Sequence, residues 1–410
     1  MRIVHVITRM IIGGAQENTL LCCGDLAREY GDDVLLVTGP SPGPEGSLLD
    51  RDALEQGRVG GVALKVVPSM RRAINPWCDV AAYRQLKRVL REFKPDVVHT
   101  HSAKGGILGR AAAWSLGVPA VVHTVHGAPF HPYQAAANRA LFRACERWAA
   151  KRCHAIISVA DAMTRLMVTA GVADVDKFTT IYSGMDVEPF LQCHELREQT
   201  RRELGYEAED VVIGKIARMF HLKGHEYVIE AARRIADRVP QARFLFVGDG
   251  LLQDKLRRQV AEAGLEDRVK FLGLVRPERI PALISAMDIV VHASLREGLA
   301  RVLPQALIAG NPVVSYDIDG AAEVVLPGET GFLAPPKSID ELAEPLEKLA
   351  VDEQLRARLG TEGRQRFTDQ FRHQRMTEQI RGLYKELLGR AGGECGGRES
   401  GVGRRGRASG

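Results

Sequence analysis

Between Ser294 and Gly320 the chain reads Ser-Leu-Arg-Glu-Gly-Leu-Ala-Arg-Val-Leu-Pro-Gln-Ala-Leu-Ile-Ala-Gly-Asn-Pro-Val-Val-Ser-Tyr-Asp-Ile-Asp-Gly. A short apolar run, Ile289 to Val291, stops just before it. A carboxylate then follows on a Gly-containing turn, Glu297-Gly298, and a helical segment is expected from about Leu303 to Ala309. Strand, loop and helix in that order predict one unit of a parallel sheet. Pro304 suits a first helical turn, where its missing N–H would have no partner anyway, and Gly310 suits the left-handed residue after a helix. Asn311-Pro312 opens the next strand, Val313 to Ser315. A turn of this kind sits at the carboxyl edge of the sheet, where the free N–H groups of a helix start can hold a phosphate. Glu297 lies before the helix and Gln305 one turn inside it, so a ligand can bridge them.

The rest of the chain extends this pattern. Its 410 residues suit two domains of about 200 residues each. With 45% hydrophobic and 26% charged residues it has the composition of a soluble globular protein. No apolar run approaches the roughly 18 to 20 residues that span a bilayer. His5 and Arg9 break the apolar start of the chain, which therefore reads as a first strand rather than a signal sequence, and a cytoplasmic location is expected. Seven Cys show no metal-ligand spacing and predict reduced, mostly buried thiols. The net charge of +5 is unevenly placed: residues 65–152 carry fifteen Lys or Arg against four acids. That region should face something anionic. The Gly- and Arg-rich segment 389–410 has no periodicity and reads as a disordered tail.

In the first half, Arg2 to Thr8 reads as a buried strand, and Gly13-Gly14 as a turn opening a helix to about Glu29; a Gly pair lets a ligand approach the backbone. Strands at 33–37, 63–67, 96–100 and 120–125 alternate with helices at 79–92 and 104–116, which argues for a parallel sheet covered on both faces. Two strand ends carry polar groups, His99-Thr100-His101-Ser102-Ala103-Lys104 and His123-Thr124-Val125-His126-Gly127. From Tyr133 to Arg152 the chain reads as helix. Arg139, Arg143, Arg147 and Lys151 make a basic stripe, and Leu141, Phe142, Cys145, Trp148 and Ala149 supply the opposite face. With Arg84, Lys87, Arg88 and Arg91 the stripe is expected either to be an ordinary surface or to rest on anionic lipid head groups. No recognised motif supports nucleic acid.

In the second half, Val211 to Ala217 reads as a strand with Arg218 at its end and Lys223-Gly224 opening a helix. Two cations beside a helix start make a diphosphate site, the Arg binding two oxygens in plane and the Lys acting as a point charge. Further strands are expected at 242–247, 268–272 and 313–316, and helices from Ile339 to about Leu388. Asp317-Ile-Asp319 is a candidate metal-nucleotide triplet, but it reads as a turn before a helix at Ala321.

Residues 294–320 resemble the Glu-x7-Glu signature of the retaining, nucleotide-sugar-dependent glycosyltransferases of family four, which have the two-domain GT-B fold. The resemblance extends over roughly Arg2 to Leu388 with its motifs in family order. It implies two Rossmann-like α/β domains facing across a cleft: an acceptor domain (1–184), a linker (185–210), a nucleotide-sugar domain (211–370) and a helix returning to the first domain (371–388). It further implies that Glu297 contacts the donor sugar, that position 305 binds the ribose, and that Val-His-Gly places His126 near the sugar. Gly13 and Gly14 would lie beside donor and acceptor, Val275 would hold the base through its backbone, and Gly298, Leu299, Ala300 and Arg301 complete the donor-binding set. Arg218 and Lys223 match the family's Arg-x4-Lys-Gly, so the diphosphate site needs no metal and no cofactor beyond the nucleotide-sugar co-substrate. Gln305 departs from the pattern, because an amide replaces the second carboxylate. His99 and His101 are expected to shape an acceptor pocket and Lys104 to meet an acceptor phosphate. The expected partners are a nucleotide-sugar donor and a glycan or lipid-linked acceptor, with peripheral contact to an anionic membrane. A nucleotide-sugar epimerase of similar fold and a non-catalytic sugar-nucleotide binder remain alternatives.

Overall fold

The computed structural model of the protein describes residues 1–41 and 46–396, apart from the side chains of Arg51 and of residues 392–396. The first sheet consists of β1 (Arg2–Ile7), β2 (Asp33–Thr38), β3 (Arg58–Val59), β4 (Val62–Val66), β5 (Val97–His101), β6 (Ala120–Val125), β7 (Ala155–Ser158) and β8 (Phe178–Thr180). Its helices are α1 (Gly14–Arg28), α2 (Arg51–Gln56), α3 (Pro76–Phe93), α4 (Ala103–Ser115), α5 (Ala136–Ala150) and α6 (Asp161–Thr169). The strand order is β3-β4-β2-β1-β5-β6-β7-β8, and the β3–β4 pair is antiparallel. Every residue of β5 and β6 is buried, as expected of parallel strands covered on both faces.

Two helices, α7 (Glu188–Gln192) and α8 (Arg197–Leu204), lead to a second sheet. It holds β9 (Val211–Ile216), β10 (Ala242–Val247), β11 (Val269–Gly273), β12 (Ile289–His292), β13 (Val313–Tyr316) and β14 (Gly331–Ala334), all parallel in the order β11-β10-β9-β12-β13-β14. Around it lie α9 (His225–Ile235), α10 (Gln253–Glu262), α11 (Ile280–Ala286), α12 (Val302–Ala309), α13 (Asp340–Val351) and α14 (Glu353–Phe367). The strand order reverses direction beside β1 and β5 in the first sheet and beside β9 and β12 in the second. Such switch points open a crevice at the carboxyl ends of the strands.

The last helix, α15 (His373–Gly396), returns to the first domain. His373 Nδ1 and the Thr377 hydroxyl meet the buried Asp25 carboxylate at 2.6 and 2.9 Å, and Arg381 pairs with Asp32 at 2.8 Å. No helix of the described residues is long and apolar enough to cross a membrane.

Residues 185–210, the expected linker, pack on the second domain: Arg197 and Arg201 both pair with Asp288, at 2.6 and 3.2 Å. Three expectations are corrected. The helix expected at Ala321 is a single 3-10 turn, Ala321–Glu323. The expected tail begins inside α15, since extending a nucleated helix fixes one residue per hydrogen bond gained; its remainder, 397–410, lies outside the described residues. The faces of α5 also divide differently from the expected apolar and basic sides: Ala149 is buried and Phe142 packs on the core, but other apolar residues do not follow. Arg143 donates to the Ala170 carbonyl at 2.8 Å and Arg147 to the Gly171 carbonyl at 2.7 Å, so half of the basic stripe binds the carbonyls at the end of α6. Leu141 and Trp148 point to solvent instead. A cation gains more from carbonyls at a helix end than from water, and Glu146, Ala149 and Ala150 form the buried face.

Candidate active site

On the second domain the site grows from the ends of β9 and β12. Gly224 precedes α9 with φ 69°, and a Cβ there would lie 1.8 Å from the Ala293 carbonyl oxygen, so only glycine lets the helix start this close to the neighbouring strand end. That approach brings Lys223 against the loop after β12, where its Nζ donates to Glu297 Oε1 at 2.5 Å. His292 Nε2 lies 3.5 Å from the same oxygen. Burial works to raise the Glu297 carboxyl, but Lys223 and His292 overcome it and hold the group well below the usual carboxylate range. Arg218 is exposed at the end of β9 with its guanidinium over the Phe220 ring.

Beneath this pair lies a group that motif reading missed. Lys215, in the middle of β9, is fully buried with no hydrogen-bond partner for its Nζ; burial, with the charge of Lys223, brings it down to about 7. His225 and His292 are buried beside it. A lysine inside the apolar run Val211 to Ile216 was the available signal, since such a residue is rarely buried without a purpose.

The first domain contributes a row of imidazoles at the ends of β1, β5 and β6. His126 Nε2 pairs with His101 Nδ1 at 3.1 Å, and His101 Nε2 with His5 Nδ1 at 3.0 Å. Beside them, His99 is held between the Tyr384 hydroxyl of α15 and Thr124 Oγ1. Burial keeps all four rings neutral: His126 falls to about 4, His5 to about 3, and His99 and His101 well below their ordinary value. A neutral ring has one N–H, so His101 donates from one nitrogen and accepts at the other, and the tautomer of His126 is coupled to that of His5. His99 and His101 thus lie inside the sheet, and His101 links His126 to His5. Lys104 is paired with Asp79 at 2.5 Å and lines the hollow beside Ser102. At the switch point, Ser102 adopts φ 60° and ψ 163°, a conformation costly outside glycine, and is held by a 2.6 Å hydroxyl pair with Thr8.

The two halves meet closely. A Cβ on Gly298 would lie 2.3 Å from the His126 carbonyl oxygen, which places the loop after β12 directly on the end of β6. Arg296 donates to the Ala128 carbonyl, and Arg301 crosses to α1, donating to the Gly14 carbonyl at 2.8 Å and pairing with Glu17 at 3.1 Å. Asp319 accepts the Glu297 N–H at 2.7 Å and so clamps the turn. Leu299 and Ala300 are buried against the same junction. Helices α1, α4, α9 and α12 all begin here, and none has a side-chain cap; their first N–H groups are suited to anionic oxygens.

Glu297 and Gln305 do not share one hollow. Glu297 lines a space of about 400 Å³ with Arg296, Asp319, His131 and Tyr133. Gln305 lines another of about 500 Å³ with Arg301, Glu17, Pro277 and Glu278. The second also adjoins Pro277 and Glu278, just after Val275.

Residues 13–184 match the model of the glycosyl transferase 4-like domain, and residues 197–366 that of the glycosyl transferases group 1. The chain is 28% identical over 390 residues to the UDP-Gal:alpha-D-GlcNAc-diphosphoundecaprenol alpha-1,3-galactosyltransferase of Escherichia coli, covering 94% of this chain and 97% of that one. It is 28% identical to the putative glycosyltransferase EpsD of Bacillus subtilis, over 78% of this chain and 84% of that one. Among solved structures it is similar to HepE of Anabaena in complex with UDP and glucose, with 26% identity, a TM-score of 0.78 and coverage of 94% and 99%.

Proposed function

Because the chain belongs to the group 1 glycosyltransferases and has their GT-B architecture of two facing α/β domains, we propose that it moves a hexose from a nucleoside diphosphate donor to a glycan or lipid-linked acceptor with retention at the anomeric carbon and without a metal. HepE was solved with UDP-glucose, and a uridine diphosphate sugar is the first donor to test. The observation that carries the proposal is the placement of Lys223, at the start of α9, against Glu297 and across the junction from His126. Arg218 and Lys223 would take the diphosphate and neutralise its growing charge, with the starts of α9 and α12 adding N–H donors. His126 and Glu297 would orient the sugar.

In the reaction, the bond between the anomeric carbon and the β-phosphate oxygen breaks, and the acceptor hydroxyl oxygen bonds that carbon on the same face. The hydroxyl proton passes to the departing phosphate. Retention is inferred from the resemblance of residues 294–320 to the signature of the retaining enzymes, with the leaving phosphate as base.

The test is a screen of nucleotide sugars for slow hydrolysis, run with and without a chelator, with the anomeric configuration of the first-formed sugar followed by NMR. Release of nucleoside diphosphate with retained configuration and no effect of chelator is expected. Inversion, rescue of chelated enzyme by manganese, or conversion of the donor to an epimer without diphosphate release would overturn the proposal.

A further inference from the structure

The exposure of Leu141 and Trp148 on α5 leaves an apolar surface on the first domain that the donor chemistry does not use. Along α5 the row Leu141, Cys145, Trp148 faces outward; along α4 the row Ile107, Ala111, Trp114 does the same; the start of α3 adds Trp77 and Val80. Trp77 is 85% exposed, Leu141 54%, and Trp114 and Trp148 44% each. Ile74, just before α3, is 75% exposed. Scattered apolar side chains on a surface are ordinary, but large ones gathered over three adjacent helices mark a binding surface.

All of these residues but Trp77 line two adjoining hollows. One, of about 670 Å³, runs between Ile74, Ile107, Leu108, Leu141 and Phe142 and reaches inward to Thr8, Ser102 and Lys104. The other, of about 510 Å³, continues outward past Val80, Tyr83, Trp114 and Trp148 and shares Ile107 and Leu108 with the first. The inner end shares Ser102, Ala103, Pro129 and Glu146 with the hollow beneath His126. The surface is therefore continuous with the reaction centre. It is polar at that end, apolar along its length and aromatic at its mouth. Cations border it at both ends: Arg72 and Lys104 line the inner hollow, while at the mouth Arg152 lies 3.7 Å over the Trp148 ring and Lys87 5.6 Å from the centre of the Tyr83 ring.

A molecule that fits must have a polar head at the His126 end and a long apolar body leading away from it, and Arg72 and Lys104 in the inner hollow suit a phosphate-bearing head. Tryptophan rings at the mouth suit a boundary between hydrocarbon and water. We propose that this channel holds the hydrocarbon chain of a lipid-linked acceptor, with the phosphorylated head toward Ser102 and Trp77, Trp114 and Trp148 at the lipid boundary. This rests on the reading of the first domain as the acceptor side of a glycosyltransferase.

Farnesyl diphosphate and inorganic pyrophosphate serve as probes for the whole chain, by isothermal calorimetry in the presence of saturating UDP, which occupies the donor site. Farnesyl diphosphate is expected to bind at least tenfold more tightly than pyrophosphate. Leu141→Asp and Trp148→Ser, both at exposed positions and checked by thermal midpoint for folding, should each reduce that preference at least fivefold. A diazirine-bearing farnesyl diphosphate should label peptides of α4 and α5. No preference for the prenyl chain, a preference untouched by both substitutions, or labelling elsewhere would overturn the proposal and leave the surface to a water-soluble glycan or a protein partner. Hydrolysis of donor by the wild type, measured separately, decides the transferase reading independently of this result.

Discussion

Replacing Lys223 by Met separates what the Lys223–Glu297 pair does for stability from what Lys223 does for catalysis. The pair is 2.5 Å long and its side chains are 25% and 20% exposed, so it falls between a surface pair, whose loss costs about 0.2–1 kcal/mol, and a buried one, whose loss strands a charge at about 3–5 kcal/mol. About 2 kcal/mol is expected. The folded Glu297 carboxyl lies below its unfolded value, so this contribution is fully present above the unfolded carboxylate range and disappears as pH falls through the folded value. At pH 7.5 the variant should therefore show the whole loss, as a lower midpoint in differential scanning calorimetry. Adding Glu297→Gln removes the stranded charge and should restore most of the stability. Activity should not follow, because the cation that meets the diphosphate is still missing: nucleoside diphosphate release should fall roughly a hundredfold in the single variant, the typical cost of one preorganised charge donor, and at least as far in the double variant, which also lacks the carboxylate that orients the sugar. Turnover of Lys223→Met within threefold of wild type, or a double variant no more stable than the single, would refute this reasoning.

Gln305→Glu places a carboxylate next to Arg301 in the hollow assigned to the ribose, and charge-assisted hydrogen bonds there should tighten UDP binding by about 1 kcal/mol, roughly fivefold; unchanged affinity in both Gln305→Glu and Gln305→Ala, by calorimetry, would remove the residue from the donor site. His101→Leu deletes the ring between His5 and His126 and should lower kcat about tenfold or more with little change in UDP affinity, while His101→Asn, which keeps a donor and an acceptor, should recover part of it; equal rates for both would show that the ring only fills space. The buried neutral histidines make the protein acid-labile. His5 and His126 sit at about 3 and about 4, below the unfolded value of about 6.5, so between pH 6.5 and 4 the unfolded chain binds more protons and stability falls as pH falls, by up to about 1.4 kcal/mol per pH unit for each ring. A thermal midpoint that does not change between pH 7 and pH 5 would contradict their burial.

The sequence by itself determined what is local. Strands, helix starts and glycine turns follow from side-chain period and backbone preference, and the ends of β6, β9 and β12 could be read as ligand-bearing because a doubly wound sheet always presents those ends to its crevice. The tertiary structure decided what depends on two distant segments meeting. Lys223 and Glu297 are 74 residues apart, and only the pairing of β9 with β12 makes them an ion pair. His5 belongs to the row of imidazoles because β1 lies beside β5 in register, with His5 opposite His99. The period of α5 defined two faces without saying what each would meet; Arg143 and Arg147 reach the carbonyls at the end of α6, and Leu141 and Trp148 stay outside. The eight-residue spacing of Glu297 and Gln305 suggested one shared ligand contact, yet the chain turns into α12 between them and sends the two side chains into different hollows. Period and composition act within a few residues of each other, whereas a charge or a helix end acts through space on whatever the fold brings near it.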